Sequence, residues 1–209
     1  MIKRIRSHLG GRQRGQSLLE MTMILPVFLL LVLGTLEFGM AFDHNLTLEY
    51  ASREGVRTGS ALANGGGPLG CGALQSPNAA TVDDQIIAAV ERVLASNGSP
   101  IDLTQVTQIR IYKVDTANTS GNEVAGTVNR WIYGAGQGPV VGGKALDFKK
   151  DMAVQGWAAC TRVNGAGADS IGVGVNYTYN FQTPLGALLS AVKIDMHDQT
   201  VMQLNPTGK

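Results

Sequence analysis

The sequence predicts an α+β protein: a long N-terminal helix, half of it in a membrane, followed by an extracytoplasmic domain with a mostly antiparallel sheet and at least one packed helix. Three features support this. A basic head runs directly into a long apolar stretch, a second helical stretch without proline follows, and strand patterns occur through the second half of the chain. The 209 residues are enough for one membrane segment and one domain of roughly 100–150 residues. We divide the chain into a basic leader, a transmembrane and stalk helix, and an extracytoplasmic α+β domain, at residues 1–15, 16–62 and 63–209.

Charge is distributed unevenly along the chain. The formal net charge is +1, but five of the 17 basic residues and no acidic residue precede Gly15, which leaves residues 16–209 with a net charge of −4. By the positive-inside rule, this predicts a head held in the cytoplasm and a body outside it. The body retains no basic stripe, so the composition argues against nucleic acid as a partner.

The apolar run predicts a membrane-spanning helix. Residues 21–36 would form about 24 Å of helix, which is short for a bilayer core of about 30 Å. Continuing through Glu37 to Phe42 lengthens the span to about 33 Å and places Glu37 near the outer membrane edge. Pro26 lies one turn inside the membrane face, where we expect it to kink or loosen the helix.

The helix is predicted to continue outside the membrane to Leu62, because residues 43–62 contain no proline. Ala51, Gly55 and Gly59 fall four residues apart and form a stripe of small side chains. Two interpretations of the stripe remain open. It packs the stalk closely against its own domain, or it is a face on which another helix assembles.

The remaining chain reads as one helix and several strands. A helix is predicted to start at Thr81, with Asp84 completing a capping box, and to stop at Asn97-Gly98. Strands are predicted by alternation, the last two as a hairpin with a possible bulge at 197–199. The predicted strands are residues 107–112, 128–133 (a short one), 171–181 and 192–204. A glycine-rich loop is predicted at 134–150. Residues 153–160 fit either a strand or a helical turn.

Cys71 and Cys160 are the two cysteines. In an exported domain an even number suggests one disulfide, and the alternative is two small buried thiols. Their separation excludes a CxxC metal or redox motif.

The junction of the head and the apolar run has the pattern of a type III signal. Gly15 is followed by Gln16, three further residues and then Glu20, directly before the apolar run of the predicted helix. The peptidase for such a signal cuts after the glycine on the cytoplasmic side and leaves the apolar segment attached, unlike an ordinary secretory signal. A cut after Gly11 is an alternative, but only a cut after Gly15 makes Glu20 the fifth mature residue.

Three stretches resemble the TadE-like family of minor pilins (pseudopilins) of the Tad pilus system. The first is similar to the family's signal, its Leu-Pro pair and its Glu-Phe-Gly element in order. The second is similar to the family's A-x-R-E-G-x-R stretch, and the third, weaker one to the C-terminal sheet of longer members. These stretches are residues 14–39, residues 50–57, and residues 169–185 with 200–202.

The resemblance implies a structural subunit without cofactor or metal, cut by a prepilin peptidase between Gly15 and Gln16. Its implied partners are other Tad minor pilins, the major pilin and the inner-membrane assembly platform. It also implies that Glu20 neutralises the N-terminal amine of a neighbouring subunit within the membrane. Physical chemistry supports this pairing, because placing an unpaired carboxylate at the edge of the hydrocarbon core costs a few kcal/mol of free energy. The alternative for Glu20 is an interfacial acid that pairs with nothing.

Two other functions compete with the minor pilin. A membrane-anchored or secreted binding domain would need an ordinary signal peptidase to cut near Ala41, and the long leader and Glu20 argue against it. The hypothesis of an exported enzyme has little support, because the sequence contains no Gly-x-Ser-x-Gly, HExxH or P-loop motif. Asp83-Asp84 is better interpreted as charge at a helix N-terminus than as a metal-binding pair.

Overall fold

The computed structural model describes residues 13–63, 79–117, 121–184, 186 and 193–204. The chain divides into a helix unit, residues 1–40 with 181–192, and a sheet unit, residues 41–180 with 193–209. Two α-helices are described, and α1 contributes to both units. The elements are α1 Gln13–Leu62, α2 Val82–Leu94, β1 Val106–Val114, β2 Glu123–Tyr133, β3 Val140–Val141, β4 Lys144–Ala145, β5 Phe148–Gln155, β6 Ser170–Tyr179 and β7 Ile194–Gln203.

Five antiparallel strands form the main sheet of the sheet unit, in the order β5-β2-β1-β6-β7. The predicted α+β class is therefore confirmed. β6 lies inside the sheet, and its alternate apolar residues from Ile171 to Tyr179 are buried. Gly172 is buried between them because the ring of Tyr112 lies over it, in space that any side chain at position 172 would need.

The C-terminal half of α1 and helix α2 pack together with this sheet. Their buried residues recur at helical spacing, as an amphipathic helix requires. The shared core joins both helices to the central strands. Its helix residues include Leu48, Ala51, Val56, Val82, Ile86, Ile87, Val90 and Leu94, and its strand residues include Ile109, Ile111, Trp131, Ile171, Val173 and Val175.

Several boundaries differ from the sequence predictions. Thr81 ends a 3-10 turn at residues 79–81 with helical backbone angles, φ −100 and ψ −4, and the predicted capping box with Asp84 does not form. The short strand predicted at 128–133 is longer, because β2 begins at Glu123. The predicted bulge at 197–199 is absent, since β6 and β7 pair without a register break from Ser170–Gln203 to Tyr179–Ile194.

The segment predicted as a glycine-rich loop contains a small hairpin. β3 and β4 pair across Gly142 and Gly143, whose φ values of 59 and 83 suit a two-residue hairpin turn. The sequence carried this signal in the adjacent glycines between short extended segments. β5 then begins at Phe148, and the ambiguous segment 153–160 divides between the end of β5 and a 3-10 turn at Ala159–Thr161.

Replacing Gly55 by alanine should destabilise the sheet unit by up to about 2 kcal/mol. A Cβ at this position would lie 2.5 Å from Val90 Cγ2 and 3.1 Å from Val173 Cγ1. Overpacking of this kind costs about 1–3 kcal/mol, more than the roughly 1 kcal/mol that alanine gains over glycine in a helix. The measurement is thermal unfolding in detergent, followed by the fluorescence of the two buried tryptophans. Gly39→Ala is the control, because a Cβ there meets nothing within 4 Å. An equal loss of Tm in both variants would contradict the packing argument.

Candidate assembly site

The first part of α1 exposes apolar side chains around its whole circumference. A helix that is apolar on every side lies within a protein core or in a membrane. Here the most apolar window has a mean hydropathy of 2.2 and none of it is buried, so α1 is a candidate single-pass membrane anchor. The exposed residues include Leu18, Leu19, Met21, Met23, Ile24, Leu25, Val27, Phe28, Leu29, Leu30, Leu31, Val32, Leu36 and Phe38.

The predicted processing site lies in the first turns of this helix. From the sequence, we divide the leader from the helix between residues 15 and 16. In the structure α1 begins at Gln13, so the Gly15–Gln16 bond lies inside the helix. Gly15 is exposed, and among the described residues a Cβ at this position would meet nothing within 4 Å. The Gln16 side-chain amide donates a hydrogen bond of 3.3 Å to Glu20 Oε1, since residues four apart share one face of a helix. Glu20 is thus exposed, next to the residue predicted to become the N-terminus.

Glu37 has a very different environment, although the sequence places both acids at the ends of one apolar run. Its side chain is buried, with 4% of the residue exposed. The backbone N–H groups of Gln182 and Thr183 donate to its two carboxylate oxygens at 2.8 and 2.9 Å. We call this arrangement, formed by Glu37, Gln182 and Thr183, the Glu37 bridge. Sequence reasoning found the acid and the turn after β6 but not their contact, because the partners are 145 and 146 residues away.

The two acids therefore differ in what they can bind. The Glu37 carboxylate is held by backbone donors of its own chain, which offsets the cost of removing it from water. The Glu20 carboxylate is exposed and accepts from a flexible amide on the same helix face. Glu20 is therefore exposed to the surroundings of the helix, whereas both carboxylate oxygens of Glu37 are bonded to backbone donors.

Pro26 lies inside α1, which runs without interruption from Gln13 to Leu62. Proline has no N–H, so the carbonyl of Thr22 loses its usual helical donor. The Thr22 hydroxyl donates to the Leu19 carbonyl at 2.8 Å, one turn earlier. The kink predicted at Pro26 stays a prediction.

The small-residue stripe of the stalk faces the interior of the sheet unit. Ala51 is fully buried, and Gly55 and Gly59 lie against side chains of α2 and β6. At Gly59 a Cβ would lie 2.8 Å from Ile171 Cδ1 and 2.9 Å from Ile86 Cδ1. In this structure the stripe packs on the chain's own domain, which leaves no room for a second helix at these positions.

Two serines beside the stripe connect the stalk to the edge strand β7. Ser52 Oγ donates to the Asp198 carboxylate and lies 2.8 Å from Thr200 Oγ1. Ser60 Oγ donates to the Gln203 carbonyl at 2.7 Å. No pattern in the sequence indicates these contacts, which hold α1 along β7 while the glycines allow it to pack on the core.

Asp83 and Asp84 both lie in the first turn of α2, as the interpretation of helix N-terminal charge requires. Asp83 also enters a buried polar network that the sequence did not reveal. It accepts hydrogen bonds from Arg162 Nη2 at 2.6 Å and from Asn129 Nδ2 at 2.7 Å. The Arg162 guanidinium is fully buried and lies 4.4 Å from the centre of the Trp157 ring.

Cys160 lies two residues before this arginine and is disulfide-bonded. Cys71, the other cysteine of the sequence, lies outside the described residues. The predicted pairing of Cys71 with Cys160 stays a prediction.

Comparison with known proteins finds a family match for α1. The family model of TadE-like protein matches residues 15–57, which include Gly15, Glu20, Glu37 and the stalk stripe except Gly59. No curated protein and no solved structure matches the chain. The resemblance to this family is therefore confirmed over residues 15–57, all within α1, and this similarity suggests a Tad pilus-associated protein.

Proposed function

We propose that this chain is a minor pilin, or pseudopilin, that assembles with other pilin subunits to initiate or stabilise a Tad-type adhesion pilus. Its role is structural and non-catalytic. The observation that carries the proposal is the exposed carboxylate of Glu20 at the start of an apolar helix whose residues 18–32 are all exposed. Such a helix, with one accessible acid at its start, is suited to lateral packing with a second helix of the same kind.

The chain is proposed to cross the inner membrane once, with its N-terminus in the cytoplasm and its sheet unit outside. The basic head before Gly15 supports this orientation. The disulfide at Cys160 supports it independently, because disulfides persist in oxidising compartments and are rare in the cytosol.

Assembly is proposed to begin with cleavage by the prepilin peptidase, which creates a new ammonium group at Gln16. In the membrane, the Glu20 carboxylate of one subunit accepts hydrogen bonds from the N-terminal ammonium of a neighbouring minor or major pilin. Each group offsets the desolvation cost of the other, so subunits in the correct register are favoured. The inner-membrane assembly platform would then receive the packed subunits.

The direct test is the intact mass of the chain purified from native membranes, because mass also detects a cyclised Gln16 that would block Edman sequencing. We expect a chain that begins at Gln16 and is lost when the prepilin peptidase is deleted. Gly15→Leu should leave the chain uncut, whereas the control Gly11→Leu should still be processed. A chain beginning at Phe42, or one uncut at Met1 in cells with the peptidase, would contradict the proposal and favour a secreted or simply anchored binding domain.

A further inference from the structure

The Glu37 bridge turns an acid inward at a point where the neighbouring side chains face outward. Glu37 is 4% exposed, whereas Leu36 is 56% exposed and Phe38 is 74% exposed. The carboxylate needs no water, because both of its oxygens accept backbone hydrogen bonds. The outer surface of the helix therefore remains apolar beyond the position of the acid.

This changes the length of helix that a bilayer can cover. If Glu37 had to reach water, the apolar surface would end at Leu36 and measure about 24 Å from Met21. With the acid covered, the surface from Met21 to Met40 measures about 30 Å, which matches the hydrocarbon core. The outer boundary of that core then falls at or beyond Glu37.

The residues that cover Glu37 must lie at the same depth as the acid. They belong to non-helical backbone, which is tolerated at membrane depth only where its polar groups find partners in the protein. Glu37 supplies two such acceptors, to Gln182 and Thr183. Gln182 and Pro184 are exposed, so this backbone presents side chains outward as well as to the helix.

We propose that residues 181–184 form a second membrane contact of this chain, held against α1 by the Glu37 bridge and seated in the outer interfacial layer of the lipid. The inference rests on the membrane span of the proposed function and adds a lipid-binding surface to it. Lipid is favoured over a protein partner because this surface adjoins the exposed apolar surface of α1 at Leu36 and Phe38. The sequence agrees, since residues 180–192 contain no charged residue and Lys193 is the first after them.

The test uses the full chain, with its disulfide intact, in phosphatidylcholine–phosphatidylglycerol vesicles. A single environment-sensitive fluorophore is attached at Gln182→Cys, at Phe38→Cys as the span reference, or at Met152→Cys as the water reference. Met152 is 81% exposed on β5. Lipids with a nitroxide at the headgroup or high on the acyl chain then act as quenchers. We expect Gln182 to be quenched severalfold more than Met152 and to approach Phe38.

Quenching at Gln182 equal to that at Met152, with Phe38 strongly quenched, would overturn the second contact and leave the membrane span intact. Absence of quenching at Phe38 would contradict the proposed membrane span and therefore also the second membrane contact. Glu37→Ala removes both acceptors of the bridge and should lower quenching at Gln182 severalfold without changing it at Phe38. Unchanged quenching at Gln182 in that variant would overturn the role of the bridge in holding the contact.

Discussion

Replacing Glu20 by glutamine should leave the chain in the membrane but lower its recovery in pili by at least about tenfold. Glutamine keeps the size of the side chain and one acceptor oxygen, but it carries no charge and cannot neutralise an ammonium group. A charge pair at the hydrocarbon edge is worth a few kcal/mol, and every 1.4 kcal/mol changes an equilibrium about tenfold. The measurement is quantitative immunoblotting of sheared pili and of membranes from the same cells.

Thr22→Ala is the matched control for this variant. Thr22 lies two residues further along the exposed apolar helix, and its hydroxyl is bonded within the helix to Leu19. We expect normal recovery in pili for this control. The intact mass of the Glu20→Gln chain should also begin at Gln16, so that a defect in assembly is distinguished from a defect in cleavage. Unchanged pilus recovery with Glu20→Gln would contradict the proposed pairing.

The elements that the sequence predicted well are those with strong local patterns. α1 ends at Leu62 as predicted, because a long stretch without proline and with helical spacing is visible within one window. β6 was equally clear, since its alternation runs over its whole length. The β3–β4 hairpin was missed because its strands are only two residues long, too short for alternation to register.

The residues of the candidate site also differ in whether a local sequence pattern identifies them. Gly15 and Glu20 could be found from the sequence because their spacing and their place before an apolar run are local properties. The Glu37 bridge could not, because its donors are backbone N–H groups, which leave no mark on side-chain patterns. The contacts of Ser52 with β7 join residues 146 and 148 positions apart, and the sequence alone does not specify such pairs.

The buried network around Asp83 leads to the largest expected effect on stability. Arg162 is fully buried, and its ion pair with Asp83 is the one that the structure shows for it in the described part of the chain. Removing one partner of a buried pair leaves an uncompensated charge and costs about 3–5 kcal/mol. Because total stabilities are about 5–15 kcal/mol, Asp83→Ala should remove a large fraction of the stability of the sheet unit.

Urea unfolding with the disulfide intact measures this effect, and the fluorescence of Trp157 reports it directly because the indole contacts the guanidinium. Asp84→Ala is the neighbouring control. Asp84 pairs with Lys150 at 2.9 Å, and the lysine side chain is 37% exposed, so we expect a loss of no more than about 1 kcal/mol. A loss for Asp83→Ala that is no larger than for Asp84→Ala would contradict the argument.

A double variant distinguishes two contributions to the loss of stability: the unpaired buried charge of Arg162 and the loss of packing. Asp83→Ala combined with Arg162→Met removes both charges and keeps an apolar side chain of similar length over Trp157. Replacing a whole buried ion pair by apolar residues is often neutral or stabilising, so the double variant should recover most of the stability that Asp83→Ala loses. If it were as unstable as Asp83→Ala alone, the network would act through the hydrogen bonds of Asn129 to Asp83 and to the Trp157 backbone, and the charge of Arg162 would be secondary.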